Sequence, residues 1–239
     1  MSQATTAVEQ EMIDGKIYEK NPDVNSEKVK EKLITARIGL LIRQPFFGNL
    51  ATRLVLEDAT DWCATAATDG RKFFYNENFI NTLNPKQTEF LFGHEILHCV
   101  YDHFTRRDSR DPQIFNIAAD YCVNGDLVRH NIGEMITQVK PFHDPKYYGW
   151  ATEAVYDDIY KKGKEKMEQL GKLLDEHIDW EKGNTPGGGD KKDKDGKGSQ
   201  QPTYSKEELE KIKDEIKDSM LQAAQTAGAG NLPKEVERV

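Results

Sequence analysis

The first strong pattern in the chain is a set of apolar residues that recur at helical spacing between positions 26 and 42. Spacings of three and four residues place such side chains on one face of an α-helix. Ser26 precedes the pattern and can cap the helix, so that Val29 would be the first residue to enter the core. We therefore predict an amphipathic helix whose role is packing. Its apolar residues are Val29, Leu33, Ile34, Ile38, Leu41 and Ile42.

The pattern then changes to short extended runs. Residues 53–57 and 63–67 are strand candidates, and residues 72–75 form a third. Between the last two, Asp69-Gly70 supplies the positive φ angles that a tight hairpin requires. These runs predict a small antiparallel sheet before the next helix. An edge strand of such a sheet could hold an extended peptide by main-chain hydrogen bonds, but a purely structural hairpin explains the pattern equally well.

Two long helices follow, and both begin with clear capping signals. Asn84 is a suitable N-cap, Pro85 fits the first helical position and Gln87 completes a capping box. Since nothing breaks the pattern earlier, this helix is predicted to continue to about Arg107. The second helix begins in the same way, with Asp and Pro, and is predicted over 111–129. Because the connection is short, we expect the two helices to pack antiparallel.

Composition divides the chain into four parts. Residues 1–25 are polar and are predicted to be flexible. Residues 26–180 hold the apolar patterns of one folded domain. Residues 181–204 are rich in Gly, Lys and Asp and are predicted to be a flexible linker, because they cannot bury a core. Residues 205–239 begin with one more helix, rich in Glu–Lys pairs, and end in a tail. The predicted fold class is α+β.

Bulk composition narrows the range of functions. The 239 residues carry a net charge of −8, so a basic surface for nucleic acid is not expected. No run approaches the ~20 apolar residues that span a bilayer, and no secretory signal is visible, so membrane binding is not expected either. Three cysteines, Cys63, Cys99 and Cys122, do not suit a disulfide framework. The expected compartment is a reducing cytoplasm, bacterial or of a virus-infected cell.

The stretch His94-Glu95-Ile96-Leu97-His98 lies in the middle of the first long helix. Two histidines four residues apart project from one face of a helix, which lets both imidazoles reach a single tetrahedral zinc ion. Glu95 lies beside them and can take a proton from a zinc-bound water that attacks a peptide carbonyl. This is the pattern of the HExxH motif of metallopeptidases. In the alternative interpretation, the two histidines are only a polar patch.

A site with two histidines requires a third protein ligand, for which Asp120 is the best candidate. It lies on the second helix, where an antiparallel return would bring it to the histidine pair. Asn116 and Asn124 extend a polar stripe through Asp120 among apolar neighbours, and a carboxylate in such a setting needs a cation or a partner. A structural pairing of Asp120 with an Arg or a His is the alternative.

His103 is a weaker candidate for the third ligand. On a continuous helix it would be turned by about 140° from His98, and no glycine between them offers an earlier helix end. We interpret His103, like Asn116 and Asn124, as a residue that supports the ligands, or else as a histidine on a polar helix face. The cysteines at positions 99 and 122 are expected to be small buried residues rather than ligands.

Several further stretches complete a recognisable order of motifs. They are Arg43–Gly48, Thr65–Arg71, Phe74–Asn76, Leu83–Pro85, Gly93–Cys99, His103, Arg110–Pro112, Asn116–Asn124, Asp144–Tyr147 and 230–233. With the motifs up to Tyr147, from about Ile38 to Tyr160, the chain resembles the putative metallopeptidase domain found upstream of von Willebrand factor A-like domains. Residues 230–233 look like the stretch that leads into the C-terminal domain of that family. The resemblance implies a zincin-like fold with zinc as cofactor, the histidines of HExxH as ligands and an acidic ligand at Asp120.

The resemblance also bears on partners. The chain ends at Val239, so we expect the von Willebrand factor A-like domain that usually follows to be missing. The family implies work beside AAA+ ATPases of the chaperone type, which makes such an ATPase a candidate partner. For many members, peptidase activity is inferred from the motif. A compact form of this kind would also suit a bacteriophage genome.

Three functions compete at this point. The first is a zinc endopeptidase acting on proteins or peptides, with Glu95 as general base and an oxyanion donor among Tyr121, Tyr147, Tyr148 and His143. The second is a catalytically silent, metal-binding scaffold that works with an AAA+ ATPase or with a phage or host partner. The third, a nucleic-acid-associated factor, ranks last because the chain is acidic.

Overall fold

Eight α-helices and three β-strands form the part of the chain that the computed structural model describes, residues 5–161 and 202–228. This confirms the expected combination of helices with one small sheet. Two short 3₁₀ turns cover Lys16–Tyr18 and Pro145–Tyr147. The helices are α1 (Ala7–Ile13), α2 (Ser26–Arg43), α3 (Pro45–Arg53), α4 (Glu77–Thr82), α5 (Pro85–Val100), α6 (Pro112–Arg129), α7 (Thr152–Lys161) and α8 (Lys206–Ala227).

The sheet has the strand order β1-β3-β2, with β1 at Val55–Asp58, β2 at Ala66–Thr68 and β3 at Lys72–Tyr75. Strands β2 and β3 form the predicted antiparallel hairpin, and Gly70 in its turn has a φ of 82°. Strand β1 instead pairs parallel to β3. The sheet is therefore mixed and not purely antiparallel, because the chain crosses to the far edge after β1 and returns through the centre.

Helix α2 matches the predicted range, but its capping residue and its buried face differ from the prediction. Asn25, not Ser26, is the N-cap, since its side chain accepts a hydrogen bond from the Lys28 N–H. The buried face runs through small residues, including Ala36 and Gly39. These small side chains allow close helix packing. The opposite side of α2 therefore faces solvent, and it carries four of the residues predicted to be apolar contacts, Ile34, Ile38, Leu41 and Ile42.

The N-terminal region contains more structure than its polar composition predicted. Thr6 caps α1 with a complete capping box that includes Glu9. Ile17, in the turn that follows, is buried. The side chain of Thr6 also donates a hydrogen bond to the carbonyl of Gln138, far along the chain. Local capping and buried apolar residues, Val8 and Ile17 among them, therefore tie this segment to the domain.

Helix α5 begins as predicted but ends earlier. The capping box of Asn84 and Gln87 is present, with the two reciprocal bonds at 2.8 and 3.0 Å. The helix stops at Val100 and not near Arg107, because Asp102 adopts a φ of 52°. The His103 N–H then donates to the His98 carbonyl and the Asp102 N–H to the Cys99 carbonyl, both at 3.1 Å. This is a Schellman motif in which Asp takes the position usually held by Gly.

Helices α5 and α6 pack against each other and separate two parts of the core. The larger cluster lies between α2, α3, α5 and the inner face of the sheet, and includes Leu33, Phe73 and Phe92. The smaller one joins α6 to α7 through Phe115 and Val155, among others. Polar residues that face from α5 to α6 are therefore enclosed by apolar packing on both sides.

Helix α8 confirms the predicted C-terminal helix. Ser205 and Glu208 form its capping box, and it ends before Gly228, whose φ is 78°. Ile212 packs with Ala67 and Phe74 on the outer face of the sheet. The predicted linker 181–204 lies, up to residue 201, outside the described residues. Among the described helices, none has both the length and the apolar character that crossing a bilayer requires.

Candidate metal centre

Helix α5 places His94 and His98 side by side. Residues four apart lie one above the other on a helix face, and here the two ring centroids are 4.7 Å apart. Their Nε2 atoms approach to 3.1 Å. Both side chains have no exposed surface. A pair of buried imidazoles with converging nitrogens is an unfavourable arrangement unless a proton or a cation lies between them.

Asp120 completes the group from the neighbouring helix α6. Its Oδ1 lies 3.3 Å from Nε2 of His98 and 3.6 Å from Nε2 of His94, and the carboxylate is fully buried. The predicted antiparallel return is thus confirmed, because Asp120 faces His98 while Asn124, one turn later, faces His94. Within the described residues, these three side chains form a group that could hold a metal ion.

The spacing of the three donor atoms fits a tetrahedral ion. Ligand atoms bound at zinc-like distances of about 2.0–2.1 Å in a tetrahedron are about 3.3 Å from one another. The three donor–donor distances here, 3.1, 3.3 and 3.6 Å, lie on either side of that value. Two imidazole nitrogens and one carboxylate oxygen also match the His₂-acid ligand sets of catalytic zinc sites. The residues present therefore fit the metal that the motif implies.

His94 is oriented by a fixed amide. Its Nδ1 lies 2.9 Å from Oδ1 of Asn124, and Nδ2 of Asn124 donates to the Phe142 carbonyl at 3.0 Å. Because a carbonyl can only accept, the amide orientation of Asn124 is determined, and its Oδ1 must accept from His94. The proton of a neutral His94 is therefore on Nδ1, and the unprotonated Nε2 is the nitrogen that can bind a metal ion.

His98 is supported by a second histidine. Its Nδ1 lies 3.0 Å from Nδ1 of His103, whose Nε2 lies 2.9 Å from Oγ1 of Thr152. The rotation of about 140° that a continuous helix would give His103 does not occur, because the helix ends before it. His103 contacts the side of His98 that faces away from the donor group. His103 is thus a neighbour of His98 and lies on the side of its ring opposite to the three donor atoms.

Glu95 is buried beside the histidines. It directly follows His94 on α5, and 1% of its surface is exposed. Its charge adds to the effect of burial in raising the pKa of the Cys99 thiol. Asn116, by contrast, is half-buried, and the hydrogen bonds of the described residues do not join it to the donor group. Asn124 thus contacts one of the three donor residues, whereas Asn116 makes no such hydrogen bond among the described residues.

The buried cysteines are poor ligand candidates, as predicted. Burial raises the pKa of Cys99 far above its ordinary value and that of Cys122 to about 12. Both thiols therefore remain protonated, whereas a metal ligand is a thiolate. Cys99 instead contacts the hydroxyl of Thr68, and Cys122 the carbonyl of Trp150.

The four residues considered as oxyanion donors form two contacting pairs, Tyr121 with Tyr147 and His143 with Tyr148. Tyr147 donates its hydroxyl proton to Asp158 at 2.7 Å, and the Tyr148 hydroxyl lies 2.8 Å from Nε2 of His143. Burial lowers the pKa of His143. Tyr121 packs its ring against Phe142. The geometry does not select one of them as the donor.

Three groups near the site have no clear signal in the sequence. Asp102 ends α5 with a positive φ. A glycine at this position would have predicted the helix end, whereas an aspartate indicates it only through its tolerance of positive φ. Thr152 and the Phe142 carbonyl reach the site from distant positions. A backbone carbonyl has no sequence signature, and a threonine at the start of a helix is common.

Comparison with known proteins gives one match. The model of a family described as a putative metallopeptidase domain matches residues 28–239. Comparison with curated proteins and with solved structures gave no match.

Proposed function

Because the chain belongs to the putative metallopeptidase domain family, we propose that it is a zinc-dependent peptidase that hydrolyses peptide bonds. His94, His98 and Asp120 are the metal ligands in this proposal, and Glu95 is the general base. The observation that carries it is the triangle of two imidazole nitrogens and one carboxylate oxygen, fully buried and with the spacing of a tetrahedral site.

The number of ligands favours a catalytic site over a structural one. Structural zinc sites have four protein ligands, whereas catalytic sites have three and leave a position for water or substrate. The described residues supply three donors, and Glu95 follows directly on the helix. When bound, a zinc ion lowers the pKa of its water towards ~7 and polarises the carbonyl under attack.

The residues of the chain then have separate tasks. Glu95 accepts the proton of the attacking water and returns it to the departing amine, so that the reaction needs no external base. Asn124 holds the ring of His94 and keeps its proton on Nδ1. The buried surroundings exclude bulk water, which strengthens each of these electrostatic interactions.

A replacement of Glu95 tests this proposal. Glu95→Gln keeps the size of the side chain and removes its basicity, so the protein should bind zinc as tightly as the wild type. Cleavage of a peptide library, followed by mass spectrometry, should fall at least ~100-fold. Glu89→Gln is the control, because Glu89 is a buried acid on the same helix that pairs with Arg43 and Lys86. Wild-type cleavage rates in Glu95→Gln would refute the role of Glu95.

One observation favours a second function, a catalytically silent metal-binding scaffold. All three donor residues and Glu95 are buried, so a peptide reaches them only after the surrounding segments move. In a scaffold, the ion would stabilise the packing of α5 on α6, and a protein partner such as an AAA+ ATPase would bind elsewhere. Chelation that lowers the melting temperature, in a protein that cleaves no peptide of the library, would favour this function.

A further inference from the structure

We propose that His103 and Thr152 are positioning residues that fix the ring of His98 and the place of its proton. This inference rests on the metal-binding part of the proposed function. The carrying observation is the continuous contact from Nδ1 of His98 to Nδ1 of His103, at 3.0 Å, and from Nε2 of His103 to Oγ1 of Thr152, at 2.9 Å.

The direction of each hydrogen bond follows from the role of His98. A nitrogen that binds a metal ion carries no proton, so a neutral His98 that binds through Nε2 has its proton on Nδ1. That proton is donated to Nδ1 of His103. A neutral His103 then has its own proton on Nε2 and donates it to the hydroxyl of Thr152. The Thr152 hydroxyl is thus the last acceptor in a chain of two hydrogen bonds that begins at His98.

We call the hydrogen-bonded chain His98–His103–Thr152 the relay. Burial makes this relay necessary for His98. His103 is 5% exposed and Thr152 3% exposed, so bulk water does not reach these ring nitrogens readily. Without His103, the Nδ1–H of His98 would lose its acceptor inside the protein, at an energetic cost. The same ring would then be free to rotate or to keep its proton on Nε2, and both changes oppose metal binding.

A backbone hydrogen bond holds one end of the relay and a salt bridge holds the other. On one side, the His103 N–H donates to the His98 carbonyl at 3.1 Å, so the two residues are joined by main chain and by side chain. On the other, Arg106 makes a bidentate pair with Glu153, with two bonds of 2.8 Å, directly beside Thr152. The turn after α5 is therefore tied to the start of α7, and the relay connects two well-fixed positions.

The two ligand histidines differ in their support. His94 relies on Asn124, which lies on the same helix as Asp120, so one element supplies both a ligand and an orienting group. His98 relies on a turn and on α7, two elements that carry no ligand. Thr152 hydrogen-bonds to His103 and to the Cys122 thiol, and the hydrogen bonds of the described residues do not join it to the three donor residues. We therefore expect an effect of its replacement on the metal to pass through His103.

Paired replacements of Thr152 provide the test. Thr152→Val keeps the shape and removes the hydroxyl, whereas Thr152→Ser keeps the hydroxyl. We expect zinc affinity, measured by competition with a chromophoric chelator, to fall about 10–100-fold in Thr152→Val and to stay close to wild type in Thr152→Ser. Thr137→Val, at an exposed position, is the control for the chemical change.

Ring nitrogen NMR of the zinc-loaded protein provides a second readout that a general loss of stability would not reproduce. In the wild type, the proton of His98 should be on Nδ1 and that of His103 on Nε2. Loss of the His103 signature in Thr152→Val, with the fold intact by circular dichroism, supports the relay. Wild-type zinc affinity and unchanged ring signals in Thr152→Val would overturn it.

The test of the relay and the test of the proposed function can have different outcomes. A protein that binds zinc through the relay but cleaves no peptide would contradict the peptidase proposal and leave the relay intact. A peptidase whose zinc affinity does not respond to Thr152→Val would contradict the relay and leave the peptidase proposal intact.

Discussion

Helices α5 and α8 differ sharply in how many of their residues are buried. In α5, 14 of the 16 residues are buried, including the polar side chains of His94, Glu95 and His98. In α8, only 3 of the 22 residues are buried, and all three are apolar. Polar residues on α8 face solvent, as charged residues of a surface helix usually do. Those on α5 are enclosed, which costs free energy unless each has a partner.

This difference indicates which of the two helices carries the candidate site. A buried polar residue with defined neighbours is informative, whereas a solvated charge is not. On α5, His94 and His98 are contacted by Asn124 and His103, respectively. On α8, polar contacts such as the ion pair of Arg71 with Glu215, at 2.6 Å, lie at the protein surface. The two helices meet at the turn after α5, where Lys213 of α8 lies 2.7 Å from Asp102.

The largest expected effect on stability comes from replacing one leucine on each of the two helices by alanine. Leu91→Ala on α5 removes a side chain with no exposed surface and should lower the free energy of unfolding by about 2–5 kcal/mol. Leu221→Ala on α8 removes one that is 63% exposed, and the loss should stay below ~0.5 kcal/mol. Urea unfolding measures both. Equal losses would show that burial does not distinguish the two helices.

A smaller effect is expected at the residue where α5 ends. Asp102 has a positive φ, and a β-branched residue there is strained, so Asp102→Val should destabilise the protein by about 1–3 kcal/mol. It should also weaken zinc binding, because the turn carries His103. Asp102→Asn is the matched variant, since Asn tolerates this conformation. A Val variant as stable as the Asn variant would mean that the helix end does not depend on this position.

The smallest effect is expected for the contact between the two regions. Lys213→Ala should cost no more than ~1 kcal/mol, because its pair with Asp102 is partly solvated, and added salt should reduce the difference. The hydrogen bond to Asp102 raises the pKa of Lys213 above 10.5. The contribution is therefore present below pH 10.5 and is lost as the pH rises through the raised pKa.

Thermal unfolding of Lys213→Ala beside Lys217→Ala, a change on the exposed side of the same helix, isolates the effect of this pair. A loss much larger than that of a surface ion pair would mean that α8 determines the position of the turn. A difference that does not respond to salt would contradict the electrostatic explanation.

Local signals made much of the fold predictable. Caps at Asn84 and Ser205 fixed the starts of α5 and α8, and Asp69-Gly70 fixed the hairpin. The sheet was predicted less well, since no local pattern indicates whether β1 runs parallel to β3. The buried face of α2 was also missed, because small residues such as Ala36 and Gly39 weigh little in an apolar pattern although they permit the closest packing.

The donor residues of the site were predictable because helices convert spacing into geometry. A separation of four residues sets the histidine pair, and a short connection between antiparallel helices returns Asp120 to it. The support of the site was less predictable. His103 depended on a helix end at Asp102, and Thr152 depended on the packing of α7, a contact between residues 49 positions apart. Such contacts follow from the tertiary fold and not from local spacing.

The most direct measurement is the zinc stoichiometry of the refolded protein, by elemental analysis after dialysis against trace zinc. Wild type should retain a single zinc ion per chain. Asp120→Ala, which removes one donor and leaves both histidines, should bind at least ~10-fold more weakly at the same zinc concentration. Wild-type protein that retains no zinc, or an Asp120→Ala variant that retains it as tightly, would contradict the assignment of His94, His98 and Asp120 as the metal ligands.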